Sequence, residues 1–194
     1  MSAIAPRRWL PVALLALIFF LPLLFAFLVY YGSSWRPSGH TNHGVLIEPP
    51  KALPAAALGL AGTSDAVGRL TGKWSLLYIG DGACDEACRH TLYYMRQTQL
   101  SLGNLIPRTQ RVWLATAHCC NLSADTETDP PLLAMNASGD TASALLAQFP
   151  TDHRDSTIFI VDPLGNLMMR YDSSADPKGL REDLKKLLDL SHIG

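Results

Sequence analysis

The chain has 194 residues, a formal net charge of -1, 48% hydrophobic residues and 17% charged residues. A near-neutral chain lacks the basic footprint that holds nucleic acid, and the apolar content is too high for a disordered polymer. Four cysteines are too few for a disulfide-dense mini-protein, and the length predicts one domain with an appendage.

The appendage comes first. No residue from Trp9 to Tyr31 is charged, and at about 1.5 Å per residue such a helix covers a hydrocarbon core of about 30 Å. Pro22 interrupts the run, which membrane helices tolerate. Trp9, Tyr30, Tyr31 and Trp35 bracket it as an interfacial aromatic belt. Arg7 and Arg8 precede it and only Arg36 follows closely. The positive-inside rule therefore predicts a single-pass inner-membrane protein, with residues 1–8 cytoplasmic, an anchor over 9–31 and the remainder periplasmic. The competing reading is a cleaved signal peptide. Its apolar region runs about 7–15 residues and ends in an A-x-A-like site, whereas this run is longer and Tyr30-Tyr31-Gly32-Ser33-Ser34 is a poor site. Either way the remainder is exported.

Residues 32–68 are rich in Pro, Gly, Ser and Ala, predicting a tether followed by an extended segment over Gly44–Pro54 that lies along the domain. His40 and His43 fall here and read as solvated side chains. The domain proper is expected over 69–194. Trp74–Ile79, closed by Gly80, has the profile of a buried strand. After the loop Asp81–Cys84, residues 85–102 space Leu92, Met95, Leu100 and Leu102 as an amphipathic helix. Val112–Thr116 is a second strand, and a polar stretch over 117–131 follows. Thr141–Phe149 reads as a helix opened by an Asp140 cap and stopped by Pro150. Thr157–Val161 and Leu167–Tyr171 are strands joined by the Asp162-Pro163-Leu164-Gly165-Asn166 turn, where Pro fixes φ and Gly supplies φ > 0. Pro177–Leu190 is a final helix with Leu180, Leu184, Leu187 and Leu188 on one face. The order β-α-β-α-β-β-α predicts an α/β domain with a mixed sheet, its first strands parallel and its hairpin forming an antiparallel edge. That is the order of a thioredoxin-like fold.

The chemistry is expected at Cys84 and Cys88, a C-x3-C pair directly after the first strand. Four residues make about one helical turn, so both sulfurs can project from one side of a helix start, where the helix end stabilises thiolate. Two thiolates with an open position suit Cu(I), and an added imidazole accommodates Cu(II). The spacing alone leaves a structural disulfide equally open.

The stretch Gly72-Lys73-Trp74-Ser75-Leu76-Leu77-Tyr78-Ile79-Gly80, then Cys84-Asp85-Glu86-Ala87-Cys88, resembles the opening of the Sco/SenC family. Phe159-Ile160-Val161-Asp162-Pro163-Leu164-Gly165-Asn166 is similar to that family's later strand and turn. The likeness spans roughly residues 70–190. It implies a thioredoxin-like fold, copper held by Cys84, Cys88 and a histidine, and a role in metallating the copper centre of a cytochrome c oxidase subunit. Some members act mainly as thiol–disulfide reductants. The family histidine precedes the later strand in a D-H context, which here matches Asp152-His153. Where the family carries D-P-x-x-D-T after the second strand, this chain has His118-Cys119-Cys120-Asn121, which makes it a divergent member.

If the first two strands are adjacent and parallel, His118, Cys119 and Cys120 sit at the same sheet edge as the C-x3-C pair. They read as extra ligands, with His118 an alternative third ligand to His153, or as a resolving thiol. A second disulfide or a buried free cysteine are the bland alternatives. His90 is two residues past Cys88 and points off the site face. No proline stands just before Thr157, as thioredoxin-type oxidoreductases require. The Asn121 and Asn136 sequons read as chance.

The expectation is therefore an anchored copper metallochaperone served by a thiol reductant. The rivals are a thiol–disulfide oxidoreductase that keeps oxidase cysteines reduced, with Cys84 and Cys88 catalytic, and a tethered scaffold with structural disulfides.

Overall fold

The computed structural model describes residues 9–32, 41–54, 58–60, 67–68, 70–119, 129–152, 154–174 and 176–194. The chain divides into two units, 1–41 and 42–194. In the first, helix α1 (Leu10–Gly32) is long and apolar enough to cross a membrane, and none of its residues is buried by protein.

The second unit is built on one eight-stranded sheet. Its strands are β1 (Val45–Ala52), β2 (Leu58–Leu60), β3 (Val67–Gly68), β4 (Trp74–Gly80), β5 (Thr109–Ala115), β6 (Leu132–Asn136), β7 (Thr157–Val161) and β8 (Asn166–Asp172). Their spatial order is β1-β8-β7-β4-β5-β6-β2-β3. Among the described residues, helices α2 (Glu86–Leu100), α3 (Asp140–Leu146) and α4 (Pro177–Leu190) accompany it. This is the thioredoxin-like mixed α/β arrangement expected from the element order.

β4 pairs in parallel with β5, and β5 with β6, while β7 runs antiparallel to both β4 and β8. The central strands are mostly apolar because both faces are covered, with Ser75, Thr109 and Arg111 among the buried polar exceptions. Successive side chains alternate between faces. Leu76 and Tyr78 therefore join Trp113, Ile158 and the leucines of α4 on one side. Leu77 and Ile79 join Val112, Phe159 and Leu145 of α3 on the other.

Three expectations need correction. The hairpin strand β8 is no edge, because β1 pairs with it through Val45↔Arg170 and Lys51↔Leu167. The segment over 44–54 thus supplies a sheet strand. A further strand, β6, follows the polar stretch. Asp140 is the first residue of α3 rather than its cap, and Gly139 holds the cap position at φ 92° without a side-chain bond.

The register fixes where a site can form. Gly80 pairs with Ala115 at the carboxyl ends of β4 and β5. Tyr78 pairs with Ile158 near the start of β7. The segments leaving β4, leaving β5 and entering β7 therefore meet at one sheet edge.

Candidate dithiol site

Cys84 and Cys88 are joined by a disulfide with their Cα atoms 5.1 Å apart. Cys84 is 5% exposed and Cys88 2%, so both belong to the core that α2 covers. The pair does not share a helical turn. Cys84 precedes the helix at φ 44°, Asp85 is the cap, and α2 begins at Glu86. A left-handed residue just ahead of the cap turns the chain back and brings Cys84 over Cys88. Asp85 Oδ1 accepts the N–H of Cys88 at 2.9 Å, occupying one of the open amides at the helix start. Arg89 Nη1 donates to the Cys84 carbonyl at 3.1 Å.

Two further elements close on the pair. The loop after β4 is tied to the loop after β5: Gly82 N–H donates to the Ala117 carbonyl at 2.7 Å, and Thr116 N–H to the Gly80 carbonyl at 2.9 Å. Side chains add to this, as His118 Nδ1 meets Asp81 Oδ1 at 3.0 Å. Bonding from the Ala83 N–H, and then from His118, holds the Asp81 carboxyl below its ordinary range. On the other flank, the 3-10 turn Arg154–Ser156 packs against β4 and α2, and Tyr78 donates its hydroxyl to the Asp155 carbonyl at 3.1 Å. Burial, with Asp85 and Asp155 nearby, pushes the Tyr78 phenol up to about 12, so it stays a neutral hydrogen-bond donor.

The expected site residues distribute as follows. Cys84 and Cys88 are brought together. His118 reaches the same edge but is engaged by Asp81. Cys119 is exposed and disulfide-bonded. His153 and Cys120 lie outside the described residues, as do His40 and the Asn121 sequon. Among the described residues no group of three His, Cys, Asp or Glu side chains is arranged to hold a metal ion. His90 lies off the pair and lines a cavity of about 600 Å³ with Tyr93, Tyr94 and Arg181. The His43 side chain is about half exposed, and its Nδ1 meets Asp183 Oδ1 at 3.3 Å, so it is only partly solvated. Sequence reasoning missed the Asp81–His118 contact and the Tyr78–Asp155 bond. Their only sequence signal is position, immediately after or at the end of strands that register side by side.

A comparison with curated proteins finds no match. Among solved structures, the fold is similar to apo Sco1 from Thermus thermophilus, at 20% identity and TM-score 0.52, covering 78% of this chain and 98% of that one. It is similar to yeast Sco1 with copper bound, at 15% identity and TM-score 0.56, covering 73% and 96%. It is also similar to a secreted thiol-disulfide isomerase from Corynebacterium glutamicum, at 13% identity and TM-score 0.57, covering 80% and 96%. At these identities the likeness is one of fold. A family model described as the transmembrane-like, thioredoxin-like, C-terminal domain matches residues 74–191, and the chain belongs to that family.

Proposed function

We propose that this chain is a membrane-anchored copper metallochaperone that assists assembly of the copper centre of a cytochrome c oxidase. Its domain faces the periplasm and residues 1–8 the cytoplasm. The observation that carries this reading is the Cys84–Cys88 pair at the carboxyl end of β4, entering α2. It stands in a chain whose fold resembles a Sco1 protein solved with copper bound.

Copper is the cargo, and the donor chemistry suits it. A thiol reductant first opens the disulfide. Its thiolate attacks one sulfur of the pair and the S–S bond breaks. The released cysteine leaves as thiolate and takes a proton from water. The reductant's second thiolate then attacks the reductant's own sulfur in the mixed disulfide, and the remaining cysteine leaves as thiolate and is protonated from water. Two electrons and two protons pass to the pair, and the reductant ends as a disulfide. Binding of Cu(I) displaces the two thiol protons, since thiolates are the soft ligands this ion prefers. His153 supplies the third ligand.

A second reading has its own support: Cys84 and Cys88 are disulfide-bonded, and the fold also resembles a thiol-disulfide isomerase. On that reading the pair is catalytic and carries electrons to oxidase cysteines without carrying metal. Oxidase copper content in membranes of cells lacking the chain tests the first reading, and the Cu(I) affinity of the reduced chain separates it from the second, which requires none. Metallochaperone action requires that copper content fall, and that wild type restore it while Cys84→Ser with Cys88→Ser does not. Normal copper content in the deletion strain rejects the reading.

A further inference from the structure

The bonded pair is buried, with Cys84 5% and Cys88 2% exposed. A reductant thiolate must approach along the S–S axis, so the pair is opened only if a covering segment moves. The loop Asp81–Ala83 leads directly into Cys84, and what restrains it is on the neighbouring strand's loop rather than in the core. Gly82 donates to the Ala117 carbonyl at 2.7 Å, and a Cβ at Gly82 would collide with the carbonyl of His118. Asp81 grips His118 Nδ1 through both oxygens, at 3.0 and 3.1 Å. His118 holds φ 44°, a left-handed conformation that few side chains adopt without cost. The Asp81 and His118 side chains are 52% and 75% exposed, so this clasp is made in water and is weak enough to open reversibly.

We infer that the Asp81–His118 contact is a positioning clasp. It holds the Cys84 loop closed over the disulfide, and its opening sets the rate at which a dithiol reductant reaches the pair. This rests on the reading that the pair is reduced in function, and it deepens that reading by naming what controls access. Both residues act through the position of Cys84 and touch no reacting sulfur. The electron balance is that of the reduction already given, with an external dithiol as donor.

The test is the rate of Cys84–Cys88 reduction by dithiothreitol in the full chain in detergent, followed by alkylation and peptide mapping of Cys84 and Cys88, because Cys119 is also disulfide-bonded and total thiol release would mix the two bridges. Asp81→Asn keeps an acceptor for the Ala83 N–H while losing the charge. His118→Asn keeps a residue that tolerates positive φ while losing the imidazole. Each single variant reduces about two- to five-fold faster than wild type, the range expected for loss of an exposed pair. The double variant gains no more than either single one, because both remove the same contact. Gly82→Ala, which forces the two loops apart from the backbone side, accelerates reduction at least as much.

Low, non-denaturing urea leaves the rates nearly unchanged, since a local opening exposes little surface, whereas access through global unfolding would rise steeply with urea. Unchanged rates, additive effects in the double variant, or acceleration that tracks global stability would each overturn the clasp. None of these measurements involves copper. Failure of the metal reading alone would show as absent Cu(I) binding with the reduction kinetics as expected.

Discussion

Asp85 Oδ1 accepts the amide of Cys88 at 2.9 Å, so a residue lying between the two cysteines is also the cap of the helix that carries the second. Helix start and site geometry therefore depend on one side chain. Asp85→Ala is expected to cost about 1 kcal/mol, the usual price of a lost cap, and Asp85→Asn only a few tenths. Urea unfolding of the two variants checks this, and equal losses in both would place the effect in the charge rather than the cap.

Arg108 anchors the segment that follows α4. Its guanidinium donates to the carbonyls of Leu188, Ser191, Ile193 and Gly194 at 2.7–3.0 Å. Leu188 lies in the last turn of α4, whose carbonyls a helix end leaves without partners, and the other three follow the helix. Arg108→Ala should destabilise the domain by about 1–3 kcal/mol and speed amide exchange at Ser191, whose N–H caps α4 on the Leu187 carbonyl. Arg108→Lys should recover little, because an ammonium cannot reproduce the planar fork.

Asp183 on α4 joins the start of the second unit to the sheet. It accepts the Tyr171 hydroxyl and the backbone N–H groups of His43 and Gly44. Burial is the largest single influence and opposes its ionisation. The bonds from Tyr171, Gly44 and His43 together outweigh it and hold the carboxyl below its ordinary range. A depressed folded value means that the unfolded chain takes up the proton first. The stabilisation is complete above the unfolded carboxylate value of about 3.9 and is lost as pH falls through the lower folded value. Wild type should therefore lose stability steeply below about pH 4. Asp183→Asn should be less stable at pH 7 with a shallower acid limb, as measured by urea midpoints across pH.

The Cys84–Cys88 loop is short, with a sequence separation of 4, and closing so small a loop stabilises a chain by about 2 kcal/mol. The core around the pair is otherwise continuous, from Trp74 and Trp113 to Leu184. The reduced domain should remain folded, with circular dichroism unchanged and stability lower by about that amount. Unfolding on reduction would instead favour a purely structural disulfide.

Much of this domain was legible from apolar runs and punctuation. β7 and α4 stand where the sequence puts them, Thr157–Val161 and Pro177–Leu190, because a buried five-residue run and an N-terminal Pro leave no alternative. β1 was obscured by Pro49-Pro50, which cannot donate to a ladder, and its side chains are mostly exposed. It reads as strand only through its pairing with β8. β6 is five residues long and follows a long polar stretch, so nothing local marks it. At the site, the C-x3-C pair and its place after β4 were readable because spacing and strand order are sequence properties. The positive φ at Cys84, the Asp85 cap and the Asp81–His118 contact were not. The Asp81–His118 contact depends on the register of β4 beside β5, a long-range fact with no trace in the residues themselves. The cap, by contrast, is a local bond hidden by starting the helix at residue 85 instead of placing Asp85 ahead of it.

The central claim is that Cys84 and Cys88 take copper, and titration of the reduced, full-length chain in detergent with Cu(I) under anaerobic conditions tests it most directly. The account expects tight binding of one ion per chain, weakened by His153→Ala and abolished by Cys84→Ser with Cys88→Ser. Absence of tight binding, or binding unchanged in the double serine variant, would contradict it.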